Sequence, residues 1–245
     1  MEIRKFILDL LFPIQCMGCG AYGFFICTLC ESVLPQGLVE VCVFCGHPSV
    51  QGKPCLACAP TFALDRVLIA SDFQDPVVRS AIHALKYQGI KDLAKPLGKL
   101  LVEALKESML GGSTSLREIE PPPIDFFIIP LPLHKKRVRE RGYNQAELLA
   151  HEVAPVLNVE MCTDLLIRTR NTAQQVGLSR DERRENIKNA FVVTGSDPVQ
   201  GLTLSSKTII LVDDVVTTGA TLNEAAKVLK HAGAKAVWGL VVARG

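Results

Sequence analysis

The sequence predicts an α/β protein: a parallel sheet covered by helices, preceded by a small cysteine-rich module. Three observations carry this. Eight of the nine cysteines lie between Cys16 and Cys58, in four C-x-x-C pairs, and only Cys162 falls elsewhere. Behind residue 60, short apolar runs alternate with segments of helical periodicity, which is the pattern of strands joined by crossover helices. One of those runs ends in two acids and a turn rich in threonine, and a helix pattern follows at once. The 245 residues suffice for one α/β domain of about 150–200 residues and a small appendage. The composition shift places the boundary so that residues 1–60 form the cysteine module and residues 61–245 the α/β domain. Hydrophobic residues make up 48% of the chain, enough for a sizeable core. A net charge of +2 is too small to argue nucleic-acid binding from bulk electrostatics, so such binding requires a local basic patch.

Residues 3–12 are largely apolar, but Glu2, Arg4, Lys5 and Asp9 interrupt the run. It is too short to span a bilayer and has no small-residue cleavage site, so a short amphipathic helix is expected. Without an export signal the chain is expected to be cytoplasmic and its thiols reduced. Residues 66–73 read as a strand, and 76–87 and 91–110 as amphipathic helices. Asp75 stands ready to cap the first of these, with Pro76 at its opening position. Residues 110–123, with a Gly-Gly-Ser-Thr-Ser stretch and three prolines, read as a loop. The run 124–130 (IDFFIIP) reads as a buried strand. Residues 143–157 are expected to be helical, 188–194 strand-like, 195–206 a polar loop, 208–212 a buried strand, 222–231 a helix and 236–243 a last strand. In open parallel sheets ligands bind beyond the carboxyl ends of the strands.

The cysteine pairs are Cys16/Cys19, Cys27/Cys30, Cys42/Cys45 and Cys55/Cys58. Two such knuckles make one tetrahedral thiolate site, so four imply two zinc ions. A reducing compartment argues against a disulfide cluster, and the even spacing does not favour an iron–sulfur centre. Four thiolates leave no open position for water, which makes both sites structural. Sequential pairing of the knuckles is the first expectation and interleaved pairing the alternative. Cys162 reads as an ordinary buried thiol.

The most informative stretch is Asp213-Asp214-Val215-Val216-Thr217-Thr218-Gly219-Ala220-Thr221, at the end of an apolar strand. Gly219 lets the backbone approach an anion closely. Thr217, Thr218 and Thr221 offer hydroxyl donors, and the following helix offers open amides and the positive end of its dipole. Together these suit a phosphate monoester. Carboxylates beside it would repel a phosphate, so Asp213 and Asp214 suit sugar hydroxyls or hydrated magnesium. Phosphate plus diol is the footprint of a ribose 5-phosphate. Neither a G-x-x-x-x-G-K-[ST] loop nor a G-x-G-x-x-G turn is present, so nucleoside triphosphatase and dinucleotide-binding folds are unsupported.

Beyond the strand at 124–130 come Lys135, Lys136, Arg137, Arg139 and Arg141, read as a basic loop that can meet a pyrophosphate or a nucleic acid. Tyr143, Asn144 and Gln145 follow at a helix start and suit phosphate or base contact. The stretch 168–186 is polar and basic, with Arg168, Arg170, Arg180, Arg183 and Arg184 among Asn171, Thr172, Gln174 and Gln175.

The 213–221 stretch resembles the phosphoribosyl pyrophosphate signature of type I phosphoribosyltransferases. The wider chain resembles the ComF family, also described as competence protein F-like or GntX-like. The resemblance takes in the double zinc ribbon, Ala84-Leu85-Lys86-Tyr87, Pro130-Leu131-Pro132, and Arg137, Arg139 and Arg141 with Gly142-Tyr143-Asn144-Gln145. It extends to Gln174, Gln175, Arg183, Asn186, Ala190 and Phe191. It implies a type I phosphoribosyltransferase fold, phosphoribosyl pyrophosphate bound with magnesium, a mobile lid over 168–186, and a link to DNA uptake and natural transformation. In that reading Asp213 and Asp214 hold the ribose diol directly or through magnesium, and Thr217 to Thr221 anchor the 5-phosphate. Arg137, Arg139 and Arg141 offset the leaving-group charge. Any hood over the acceptor is expected from residues 60–110, where Lys86 and Tyr87 are the candidates. Two functions fit. One is an enzyme in which a nitrogen nucleophile displaces pyrophosphate. The other is a binding module that senses the sugar phosphate while the ribbons and basic segment hold single-stranded DNA or a DNA-uptake protein.

Overall fold

The computed structural model describes residues 13–35, 37–110, 126–172, 180–194 and 204–245. The expected N-terminal helix, the loop from 111 to 123, most of the loop from 195 to 206, and Gln174 and Gln175 lie outside these residues.

Five strands form one sheet: β1 (Arg66–Asp72), β2 (Phe126–Pro130), β3 (Glu160–Met161), β6 (Thr208–Val216) and β7 (Ala236–Arg244). Their order is β1-β7-β6-β2-β3 and every pairing is parallel. The strand period of two divides their side chains between two cores. Leu68, Ala70, Ile128, Ile210, Val212 and Leu240 face α2 (Pro76–Tyr87), α3 (Ala94–Leu110) and α5 (Gln145–Leu157). Val67, Ile69, Phe127, Ile129, Ile209 and Leu211 face α7 (Ala220–His231) and a two-stranded antiparallel sheet of β4 (Leu166–Arg168) and β5 (Phe191–Val193). Burial on both faces explains why the central strands are apolar runs rather than alternating ones. Asp75 Oδ1 accepts hydrogen bonds from the amides of Val77 and Val78, both at 2.9 Å, and Pro76 opens α2 without a missing donor.

The cysteine module straddles the β1 edge of the sheet. Its first half, including α1 (Thr28–Ser32), puts Ile26 and Leu34 into the α2/α3 core. Its second half puts Cys42, Val43 and Phe44 into the α7 core. Between them the Val39 amide donates to the Ile69 carbonyl at 2.9 Å. Gly52, at φ +66°, lies against the Val67 carbonyl so closely that a side chain there would collide with it. The module thereby covers hydrogen-bonding groups that an edge strand would expose.

Several boundaries differ from the sequence reading: the strand expected from 188 starts at Phe191, the helices expected from 91 and 143 start at Ala94 and Gln145, and three further differences shape the site. The basic segment is not a loop but a helix, α4 (Lys135–Arg141). His134 caps its start by accepting from the Lys136 amide at 3.2 Å, and Gly142 ends it at φ +84°. The strand expected at 208–212 runs on to Val216, because β7 continues beside it and pairs Asp213 with Val241 and Val216 with Arg244. The helix expected from 222 starts at Ala220.

Candidate functional site

The chain leaves β2 toward α4 and α5 on one face of the sheet, and leaves β6 toward α7 on the other. β2 and β6 are neighbours, so the two exits open a crevice beyond their carboxyl ends. A cleft of about 230 Å³ occupies this position. Its lining comes from the end of α2 (Lys86, Tyr87), the segment after β2 (Leu131, Pro132, Leu133), α4 (Arg137, Arg141) and the start of α5 (Gln145). β4 adds Arg168, α6 (Arg180–Ile187) adds Arg183, and the β6–α7 stretch adds Asp213, Asp214, Val215, Thr217 and Thr221.

Because β6 extends through both acids, Asp213 and Asp214 lie on opposite faces of the strand. Asp214, 2% exposed, shares its face with Ile210 and Val212 and receives Lys86 Nζ at 2.9 Å on Oδ1. Its other carboxylate oxygen, Oδ2, is buried and has no partner among the described residues. Burial works to lower the Lys86 pKa, but the Asp214 and Asp213 carboxylates outweigh it and hold the ammonium above its usual range. Asp213 accepts a hydrogen bond from the Asp214 amide at 2.9 Å. Burial first, and then the Asp214 charge, raise its carboxyl to about 7, against the opposing pull of Lys86. A second cation here relieves both the orphaned oxygen of Asp214 and the raised pKa of Asp213. The donor set therefore fits a hydrated magnesium or a pair of hydroxyl donors.

Below the acids, Gly219 at φ +70° turns the chain into α7, and no side chain among the described residues caps that helix. Thr217 faces the cleft, and the buried Thr218 Oγ1 has no partner among the described residues. The uncapped amides and the dipole end suit a dianionic phosphate.

Arg137 and Arg141, one helical turn apart on α4, both line the cleft. Arg139, Lys135 and Lys136 are exposed on the other side of the helix and do not line it. Arg137 donates to the Thr172 carbonyl at 3.2 Å, and Arg141 donates to Gln145 Oε1, its guanidinium lying 5.4 Å from the Tyr87 ring. Tyr143 donates to the Leu85 carbonyl, which ties the start of α5 to the end of α2. Arg168 is a buried cation of this cleft, 8% exposed, donating to Thr172 Oγ1 while its Nε has no partner among the described residues. Burial, and then the Arg137 charge, lower its pKa to about 10. The sequence marks Arg168 only as the start of a polar stretch. Nothing in the Leu-Ile-Arg triplet announces that β4 will fold it inward.

The cysteines fall into two sets, Cys16/Cys19/Cys27/Cys30 and Cys42/Cys45/Cys55/Cys58, which is the sequential pairing. Within each set the sulfurs lie within 4.8 Å of one another, and the contacts Cys19–Cys27 and Cys45–Cys55 are both 3.6 Å. A tetrahedron of metal–sulfur bonds of about 2.3 Å has edges of about 3.8 Å, so both sets fit zinc. The proton affinities agree. Burial works to raise Cys16 and Cys42, but backbone amides outweigh it and lower them to about 6 and about 7. Cys30 is held at about 12 by the neighbouring sulfurs of Cys19, Cys16 and Cys27, and Cys58 at about 12 by burial and then by its own neighbours. Four sulfurs crowded this way need a cation before all can be thiolates.

Residues 144–244 match the phosphoribosyl transferase domain family. Over 216 residues the chain is 35% identical to a DNA utilization protein YhgH of Salmonella typhi, covering 86% of this chain and 87% of that protein. It is 32% identical to competence protein F of Haemophilus influenzae, covering 80% and 83%, and 27% identical to competence protein ComFC of Bacillus subtilis, covering 85% and 79%. Among the described residues no helix is long and apolar enough to cross a membrane. With identity this high over most of both chains, a phosphoribosyl transferase domain and two four-cysteine sets that fit a double zinc ribbon, the chain belongs to the ComF family.

Proposed function

We propose that this protein binds phosphoribosyl pyrophosphate with magnesium in the β2/β6 cleft, holds two structural zinc ions, and works in DNA uptake, the process that the names of its competence-protein relatives denote. The observation that carries the reading is the order of groups along one short stretch: Asp213 and Asp214, then Gly219 and an uncapped helix, beneath Lys86, Arg137, Arg141 and Arg168. The 5-phosphate sits on the α7 amides, the diol on the acids, and the diphosphate among the cations. Magnesium, when bound, neutralises part of the diphosphate charge. In turnover a nitrogen nucleophile forms a bond to C1 of the ribosyl group as the C1–O bond breaks. Pyrophosphate leaves with the bonding electrons and the nucleophile gives up its proton. The chain's part is positioning and charge compensation, without a covalent intermediate. Arg183 and the start of α6 belong to the polar stretch that would close over the reacting centre.

The arrangement of charge favours α4 as the surface for single-stranded DNA. Residues 13–58 contain one lysine, Lys53, and no arginine, so the ribbons offer little to a phosphate backbone. Lys135, Lys136 and Arg139 point away from the cleft and are exposed.

Phosphoribosyl pyrophosphate with magnesium should raise the melting temperature by ligand linkage. Asp213→Ala with Asp214→Ala should weaken binding at least about tenfold, the loss of interactions worth 1.4 kcal/mol or more. Wild-type affinity in that double variant would remove the acids from the site. Pyrophosphate release across purine, pyrimidine and amine acceptors separates turnover from sensing.

A further inference from the structure

The two cysteine sets have the same ligands, but they stand in different relations to the cleft. Gly219, whose φ of +70° turns β6 into α7, is covered by the second set's knuckle. A Cβ on Gly219 would lie 2.8 Å from Phe44 Cε1 and 3.2 Å from Val43 Cγ1. Val43 and Phe44 are the two residues between ligands Cys42 and Cys45, and they are 1% and 2% exposed. The knuckle is itself closed by bonds from the Cys42 amide to the His47 carbonyl and from the Gly46 amide to the Cys42 carbonyl, both 2.7 Å. Phe44 is held from behind by Phe62, stacked at 3.4 Å between centroids and 10° between planes. Where the chain leaves this set, the Ala63 amide donates to Asn223 Oδ1 at 2.7 Å, in the first turn of α7. A third contact closes the ring, since a Cβ on Gly46 would meet Arg244 Nη2 at 3.2 Å, and Arg244 pairs with Val216 at the end of β6. The second set thus covers the turn at Gly219 and is anchored to the elements on either side of it, α7 through Asn223 and the β6–β7 ladder through Arg244.

The first set packs on the other side of the sheet, where Ile26 and Leu34 enter the α2/α3 core. A Cβ on its Gly18 would meet Val77 at 3.5 Å, at the start of α2. Val77 is nine residues before Lys86, or about 14 Å along the helix axis.

We propose that Val43 and Phe44 are positioning residues for the phosphate turn, and that metal at Cys42, Cys45, Cys55 and Cys58, and not at the first set, maintains the affinity of the cleft for a sugar phosphate. Metal–sulfur bonds are what tie these four sulfurs, within 4.8 Å of one another, into one unit, so loss of metal loosens the Cys42–Cys45 knuckle and takes the Phe44 ring away from Gly219. A glycine with positive φ and no packing on it samples other conformations freely, and the amides of α7's first turn then no longer converge. Interiors transmit such shifts because they are close-packed.

This inference rests on the sugar-phosphate reading of the cleft, and one experiment separates the two. The full-length zinc-loaded protein, Phe44→Ala, Phe44→Leu, Cys55→Ser and Cys19→Ser are compared by zinc content, by calorimetric affinity for phosphoribosyl pyrophosphate with magnesium, and by hydrogen exchange of amides 219–223 without ligand. Phe44→Ala should keep both metals, lose affinity on the order of tenfold and deprotect those amides, and Phe44→Leu should recover most of both. Cys55→Ser should lose one metal and reproduce the Phe44→Ala pattern, whereas Cys19→Ser should lose one metal and leave affinity and amides 219–223 near wild type. If the wild type does not bind the ligand, the proposed function fails, and the exchange of amides 219–223 still decides the coupling. The coupling is overturned if Phe44→Ala protects those amides as the wild type does, or if Cys19→Ser and Cys55→Ser weaken binding equally.

Discussion

Asp213 and Asp214 are adjacent in sequence, yet the strand hands them to different neighbours. Asp214 meets Lys86 on the α2 side, while Asp213, on the other face, feels the opposing charges of Lys86 and Arg168. With its carboxyl raised to about 7, Asp213 makes the folded protein bind more protons than the unfolded chain between about pH 4 and pH 7. Its favourable contribution is therefore complete below about pH 4 and is lost as pH rises through about 7. In magnesium-free buffer, denaturant titrations of the wild type and Asp213→Asn should converge or cross as pH rises from 5 to 8, with the wild type losing ground. A pH-independent difference between the two would show that the carboxyl is not raised. The acids and the Thr217–Thr221 turn were legible in the sequence because all their chemistry lies within nine residues. Arg168 was not, because its burial depends on β4 pairing with β5 from more than twenty residues further along.

At the scale of elements, end signals decided what the sequence could say. Asp75 and Pro76 marked the start of α2 correctly, and the capping geometry is the one those residues favour. Asp75→Ala should lower stability by about 1 kcal/mol, read as a shift in denaturation midpoint without change in slope. Because α2 carries Lys86 at its far end, the same variant should leave ligand affinity nearly unchanged. α4 was misjudged because a run of cations reads as solvated chain. Its helical form rests on His134 at one end and Gly142 at the other, neither of which is a strong signal alone. That form matters for the site: on a helix, Arg137 and Arg141 face the cleft together and Arg139 faces away. The extension of β6 to Val216 was invisible because acids are poor strand formers, and only the neighbouring β7 ladder holds them extended.

At the scale of the molecule, alternation of strand and helix patterns announced the parallel sheet, and paired knuckles announced the module. Their mutual arrangement had no local signal, since it depends on contacts such as Ala63 with Asn223, 160 residues apart. Two metal-binding sets predict two zinc ions per chain by elemental analysis of freshly purified protein. Chelation should unfold the module while much of the far-ultraviolet helical signal persists, because most helices belong to the sheet domain. A ratio near zero in folded protein would refute the metal assignment. The sheet order has a further consequence, for the timing of synthesis. Among the described strands β1 is the earliest to leave a ribosome, and its sheet neighbour β7 is the latest. Until β7 emerges, β1 has no partner in the sheet, and the cores beneath the two cysteine sets lack Val237, Leu240, Val241 and Val242. The growing chain carries that unpaired edge until β7 clears the ribosome, so stalled chains ending before residue 236 should engage holding chaperones, and chains in which residue 245 has left the exit tunnel should release them.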